Sequence, residues 1–190
     1  AFDGAELKPE LEAAGIRAAR SRAQGYFLLM FNMRDPEVGG FAPAKIALRR
    51  AIAMSFDDRE WMRTFDQGLG YLQQHLIGPD VVGFDPAYRN PNAFDPATAN
   101  ALLDRFGYRR GPDGMRANPD GSPLAVHMIV STTSSGRRVA EFMKKSFDRI
   151  GVRVEFDTMP PGDRLKRMST CRHQLTTMDF GGGAPDGVSA

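Results

Sequence analysis

Apolar positions recur along this chain at two spacings. Between residues 134 and 150, Val139, Met143, Phe147 and Ile150 share one face at the spacing of an α-helix. Gly151 stops that helix, because glycine accepts the left-handed conformation a helix end often needs. Directly afterwards Val152, Val154 and Phe156 alternate with Arg153, Glu155 and Asp157, the period of a half-buried strand. The apolar run LAVHMIV at 124–130 predicts a strand ahead of the helix. Residues 160–170 are polar and helical, and 174–180 give a third strand with Leu175, Met178 and Phe180. Strand, helix, strand, helix, strand requires two crossovers, nearly always right-handed, and so three neighbouring parallel strands. In open sheets of this kind ligands sit beyond the carboxyl ends of the strands. Two loops lie there: STTSSG at 131–136, which leads into a helix, and GGGAPDG at 181–187. Both are expected to face one crevice.

The upstream half reads less cleanly. Residues 7–15 predict a short helix ending at Gly15. The run YFLLMFNM at 26–33 is a strand apolar on both faces, expected at the centre of the sheet. Residues 34–43, rich in Pro and Gly, form a loop. A helix over 45–54 follows, with Leu48 and Ile52 on one face and Arg49 and Arg50 on the other. Asp57 and Glu60 have capping-box spacing, and Trp61, Met62 and Phe65 bury the next helix, which GLG at 68–70 ends. Residues 71–94 carry several breakers and little periodicity, as a long surface segment would. Asp95 caps a helix with Pro96 at its first position; the helix, over 97–106, buries Ala101, Leu102 and Phe106 and stops at Gly107. The turn NPDG at 118–121 separates a short strand near Met115 from the strand at 124. The sum is an α/β fold: a mixed, largely parallel sheet flanked by helices.

Composition narrows the function classes. With 190 residues the chain has room for one domain with a real core, or one and a half small ones. Charged residues at 25% and hydrophobic ones at 42% are ordinary for a soluble globular protein. A net charge of +2 without a long Lys/Arg run argues against a nucleic-acid binder. No apolar stretch is long enough to span a bilayer, and no signal peptide is visible. The chain starts at Ala1, so a mature product or an excised piece is expected. Cys171 stands alone, so cysteine count does not fix the compartment. His75, His127 and His173 form no ligand-spaced pair, and no metal or cofactor is implied; His127, between apolar neighbours, reads as structural. No GxSxG, HExxH, P-loop or dinucleotide fingerprint occurs, and DFG at 179–181 lacks the kinase catalytic-loop motif.

Candidate contacts therefore come from the two loops. Gly181, Gly182 and Gly183 permit close backbone approach to a ligand, and Asp186 either pairs with a ligand cation or closes its own turn. Ser131 and Thr132 offer hydroxyls beside helix amides; they hold an anion or serve as plain caps, the commoner use. Arg137, in the first turn, opposes the helix dipole, which hints at a partner carboxylate from protein or ligand. The pair Arg172–His173 either lines the crevice or is a solvated loop pair, the commoner case.

The order of motifs resembles a known family. Asn32 in a strand, then LRRAIAMSFD at 48–57, is similar to the "fN … vRrAia.aiDr" stretch of family 5 extracytoplasmic solute-binding proteins. FDPATANALLDRFGY at 94–108 is similar to their "yDP.kAkaLLaeaGy", GSPL at 121–124 to "G.pl.l", and GVRV at 151–154 to "iGi.v". Residues 180–187 stand where the family has a Trp-Gly-Ala-Asp-type loop. These proteins bind dipeptides, oligopeptides, nickel or haem for ABC importers. The resemblance implies one lobe of a two-lobed, type II-like periplasmic-binding fold that closes on its ligand by a hinge. Residues 1–24 would be the hinge or tail of the first lobe, and 25–190 a second lobe incomplete at its C-terminus. It further implies a peptide or peptide-like small solute, permease subunits as protein partners, membrane contact only through them, a monomer, and a periplasmic location with the signal peptide absent from this chain. Phe180 would align with the family's tryptophan and contact ligand. Gly183 falls where peptide binders carry an amine-pairing aspartate, with Asp186 three residues later. The competing reading is a small α/β enzyme that uses 131–137 as an anion cradle and Asp186 or His173 as acid or base.

Overall fold

The computed structural model describes residues 2–3, 6–18, 25–66, 70–74, 76–79 and 81–181. In chain order these hold β1 (Phe2–Asp3), β2 (Glu6–Leu7), α1 (Pro9–Ala13), β3 (Gly25–Phe31), α2 (Pro43–Met54), α3 (Asp58–Phe65), α4 (Pro96–Arg105), β4 (Ala125–Ser131), α5 (Ser134–Ile150), β5 (Arg153–Met159), α6 (Pro161–Ser169) and β6 (Leu175–Gly181). They form two compact units, one of residues 27–57 and 91–178, the other of 1–26, 58–90 and 179–190.

The larger unit is built on a sheet of order β3-β6-β4-β5. β4 runs parallel to β5, from Ala125 opposite Arg153 to Ser131 opposite Met159. It also runs parallel to β6, with Met128 opposite Leu175. β3 runs the other way, because the Asn32 N–H just beyond its end donates to the Gln174 carbonyl just before β6, at 2.8 Å. The sheet is therefore mixed and largely parallel. The expected central place for 26–33 is corrected: among the described residues β3 is an edge strand, half-buried along its length. An apolar composition on both faces reports what covers a strand, not how many strands flank it.

α5 forms where its pattern predicts. Thr133 accepts from the Gly136 N–H at 3.1 Å, and Gly151 adopts φ 67°. Val139, Met143, Phe147 and Ile150 are buried, and the helix packs on β4 and β5. Beneath it the alternate β4 side chains Val126, Met128 and Val130 are buried too. Each such side chain contributes about 2 kcal/mol of hydrophobic stabilisation. α2 and α4 pack on each other and on α5. In α2, Leu48 and Ile52 are buried as expected.

α4 starts at its Asp95 cap, which accepts from the Thr98 N–H at 3.0 Å. Its buried face differs from the expected one: Ala99 and Leu103 are inside, Ala101 is exposed, and Leu102 and Phe106 are half-buried. Leu102 and Leu103 point about 100° apart on a helix, so the pattern does not say which of them faces inward. The strand expected near Met115 is reduced to isolated bridges, Arg110 with Arg116 and Ala117 with Pro123.

Arg116 is only 3% exposed. Its Nε donates to the Ile150 carbonyl at 2.8 Å and Nη2 to Asn100 Oδ1 at 2.9 Å. Its Nη1 donates to the Tyr108 carbonyl and to Asp104 Oδ1, the latter at 2.5 Å. One guanidinium thus ties the C-terminal end of α5 to α4 and the turn after it.

From β4 the chain crosses to β5 on one side, then returns past β4 to β6 on the other. With both crossovers right-handed, α5 and α6 lie on opposite faces of the sheet. α6 packs on β4, and its Arg164 donates to Thr176 Oγ1 at 2.9 Å and to the Thr177 carbonyl.

In the smaller unit β1 and β2 pair antiparallel, Phe2 opposite Leu7. α1 ends at Gly15, φ 84°. In α3, Trp61 is buried and stacks on Phe65 with ring centroids 3.9 Å apart. Of the GLG stretch expected to end α3, Gly68 and Leu69 lie outside the described residues and Gly70 carries no helix. Within 71–94 the described residues hold no helix or strand, and Val82 is 75% exposed.

Candidate functional site

The turn from β4 into α5 occupies the place in the sheet where the crossover directions diverge. In open α/β sheets this is where ligands bind, since the two crossover helices part and leave a crevice beyond the strand ends. The Thr132 N–H donates to the Met159 carbonyl at 3.0 Å and fixes the turn to the end of β5. Ser131 Oγ accepts from the Thr133 N–H at 3.3 Å, while Thr133 is the helix cap. Two hydroxyls thus serve the turn itself, and Thr132, Ser134 and Ser135 are exposed. Gly136 is buried, and a Cβ on it would stand 2.1 Å from the Ser131 carbonyl oxygen. Only a glycine lets α5 start this close to β4. Arg137 is exposed and donates to the Thr132 carbonyl at 3.5 Å. Of the two sources expected for a partner carboxylate, the protein supplies none among the described residues, where a main-chain carbonyl of the turn is the acceptor, and the ligand is left.

Phe180 lies in the smaller unit, 39% exposed, its ring stacked on Tyr26 with centroids 5.5 Å apart and planes 27° apart. Burial and the charge of Asp179 raise the Asp66 carboxyl above the ordinary carboxylate range. Gly181 ends β6, and Gly182, Gly183 and Asp186 lie outside the described residues. Tyr26 and Asp66 were not reached from sequence. The signal for Tyr26 is an aromatic at the start of a strand antiparallel to β6; Asp66 left none.

The pair Arg172–His173 sits at the amino end of β6, whereas Ser131 sits at the carboxyl end of the neighbouring β4. Arg172 is exposed and His173 half-buried. His127 Nδ1 approaches Glu155 Oε2 at 3.7 Å. Among the described residues no three His, Cys, Asp or Glu are grouped to hold a metal, and no helix is long and apolar enough to cross a membrane.

His173 carries a pH prediction. Burial above all holds its imidazole below the ordinary value of 6.5; the Arg167 main chain and then Asp35 oppose it, while the charges of Arg167 and Arg164 add to it. Below pH 6.5 the unfolded chain binds a proton that the folded one still refuses. Stability is therefore full above that pH and falls as pH drops through 6.5 toward the folded value. Urea unfolding at pH 7.5, 6.5 and 5.5 should show the fall, and His173→Gln should flatten it. An unchanged slope in that variant would assign the effect elsewhere.

The model of the family described as "Bacterial extracellular solute-binding proteins, family 5 Middle" matches residues 3–190. The chain belongs to this family. The dipeptide-binding protein of Escherichia coli, a relative by sequence, is 26% identical over 148 residues, which are 76% of this chain and 26% of that protein. Two solved structures share the fold. The oligopeptide-binding protein AppA from Bacillus subtilis, in complex with a nonapeptide, matches 88% of this chain and 32% of its own at a TM-score of 0.72 and 14% identity. NikA from Brucella suis, in complex with Fe(III)-EDTA, matches 85% and 32% at 0.68 and 24% identity. The chain thus spans about a quarter of the length of that dipeptide-binding relative. These two neighbours hold ligands as unlike as a nonapeptide and Fe(III)-EDTA on the shared fold.

Proposed function

We propose that this chain is the ligand-contacting part of an extracytoplasmic receptor that captures a peptide or peptide-like solute between two lobes and hands it to an ABC-importer permease. Residues 1–24 belong to the hinge or the first lobe, and 25–190 to the second. The observation that carries this reading is the family match over residues 3–190 together with relatives named for dipeptides. The parallel course of β4 and β6 supports a ligand-contacting role for Ser131, Thr132 and Arg137 after β4 and for Phe180, Gly181, Gly182, Gly183 and Asp186 at and after the end of β6. Ligand stabilises the closed state by the contacts it gains with this lobe. The receptor works as a monomer outside the cytoplasmic membrane and meets the bilayer only through the permease.

Calorimetry on the complete two-lobed receptor with di- and tripeptides tests this. Phe180→Ala should weaken peptide binding about tenfold, the value of one aromatic contact. The isolated 190-residue chain should bind at least a hundredfold more weakly than the receptor. Peptides that stabilise the isolated chain as strongly as the receptor would overturn the divided site.

A further inference from the structure

We propose a second ligand site in the larger unit: a cleft at the amino end of β6 that takes a small organic oxyanion, its carboxylate or phosphate held by Arg34 and Arg172. The cleft has a volume of about 620 Å³ and is bounded by the exit of β3, the end of α6 and the loop into β6. It opens at the amino end of β6, whereas the turn at 131–136 follows the carboxyl end of β4, so it is distinct from the proposed receptor crevice and does not depend on it.

Charge accounting points to an anion. Three arginines and two aspartates line the cleft: Arg34, Arg167 and Arg172 against Asp35 and Asp157. Asp157 is neutralised by an ion pair, whereas Asp35 keeps its charge, which leaves Arg34 and Arg172 against Asp35 and a net positive cleft. Asp157 Oδ2 accepts from Arg167 Nη1 at 3.0 Å. Asp35 Oδ1 accepts from the N–H groups of Glu37 and Val38 at 2.8 and 3.0 Å. Among the described residues the Arg34 guanidinium has no acceptor, and Arg172 uses only Nε, on Thr170 Oγ1 at 3.1 Å. Guanidinium forks match the paired oxygens of carboxylate and phosphate. An adjoining cleft, lined by Asp163, Lys166, Arg167 and Arg172, is also positive on balance and extends the field.

The cleft is also a built one. Asn32 Nδ2 donates to the carbonyls of Cys171 and His173 at 3.0 and 2.8 Å. That holds Cys171 at φ 53°, a conformation side-chain-bearing residues seldom adopt. Gln174 Oε1 accepts from the His127 N–H at 2.8 Å, which leaves its amide NH2 to donate. His173 Nδ1 is buried without a partner among the described residues. Ile129 and Pro36 supply apolar wall, and the volume far exceeds one phosphate, so the anion has an organic body.

The test is an NMR titration of the 190-residue chain at low ionic strength with succinate, inorganic phosphate and phosphatidylglycerol vesicles as separate probes. Saturable shifts with either free anion, confined to the amides of Arg34 and 172–174 and the His173 ring, are expected. Arg34→Ala and Arg172→Ala, both at exposed positions, should each weaken binding about tenfold while leaving the rest of the amide spectrum in place. Absence of saturation, shifts spread over all basic residues, a response to vesicles alone, or unchanged affinity in both variants would overturn the site.

Discussion

Replacing Arg116 by alanine should cost about 3 kcal/mol of folding stability, near the lower bound for breaking a buried ionic network. The cost does not come from the ion pair with Asp104, whose side chain is 64% exposed and returns to water. It comes from the carbonyls of Ile150 and Tyr108 and from Asn100 Oδ1, which lose a charged donor in a place where water enters poorly. Arg110 Nη2 also donates to Asn100 Oδ1, at 2.8 Å, so that oxygen is the least harmed. Arg116→Met, which refills the volume but gives no donor, should recover little. Arg116→Lys should recover part. Thermal unfolding should register the alanine variant roughly 6–12 °C lower. Recovery in the methionine variant equal to that in the lysine variant would mean that packing of the stem, rather than its donors, carries the effect.

Gly136→Ala sets two effects against each other. Alanine is favoured over glycine inside a helix by about 1 kcal/mol. Here the added Cβ would stand 2.1 Å from the Ser131 carbonyl oxygen and 2.8 Å from its carbon, both main-chain atoms that cannot swing aside. The clash should win, with a net loss of about 3 kcal/mol, as for overpacking at a rigid site. Gly162 in α6 is the control, since nothing lies within 4 Å of a Cβ there. Gly162→Ala should stabilise by a few tenths to about 1 kcal/mol. Urea unfolding of both variants decides it, and a stabilised Gly136→Ala would show that the β4–α5 turn yields. The same variant should weaken ligand binding by the full receptor, because relief of the clash moves Ser131 and Thr132.

These two residues also show what could be read from sequence. The turn at 131–136 and the whole of α5 were legible, because cap, apolar stripe and terminal glycine agree on one answer. The parallel strands β4, β5 and β6 followed from the order of elements. Arg116 was not legible, since its partners are main-chain carbonyls that any sequence possesses. The inward face of α4 was hidden by adjacent leucines, and the edge position of β3 by a composition that suits a centre strand equally. The stack of Tyr26 on Phe180 needed an antiparallel register across most of the chain, which no local pattern encodes. The cleft of Arg34 and Arg172 is hidden in the same way, with its lining split between residues 32–36 and 127–174.

The pairing of β3 with β6, between segments far apart in sequence, has a further meaning for how this chain tolerates change in length. The Asn32 side chain reaches the His173 carbonyl across a separation of 141 residues. Loop-closure entropy grows only with the logarithm of that span, and doubling it adds about 0.6 kcal/mol. An insertion of some twenty residues into the breaker-rich 71–94 stretch therefore adds only about 0.1 kcal/mol to closing the sheet. That stretch is thermodynamically elastic, and relatives are free to lengthen or trim it without repaying the core.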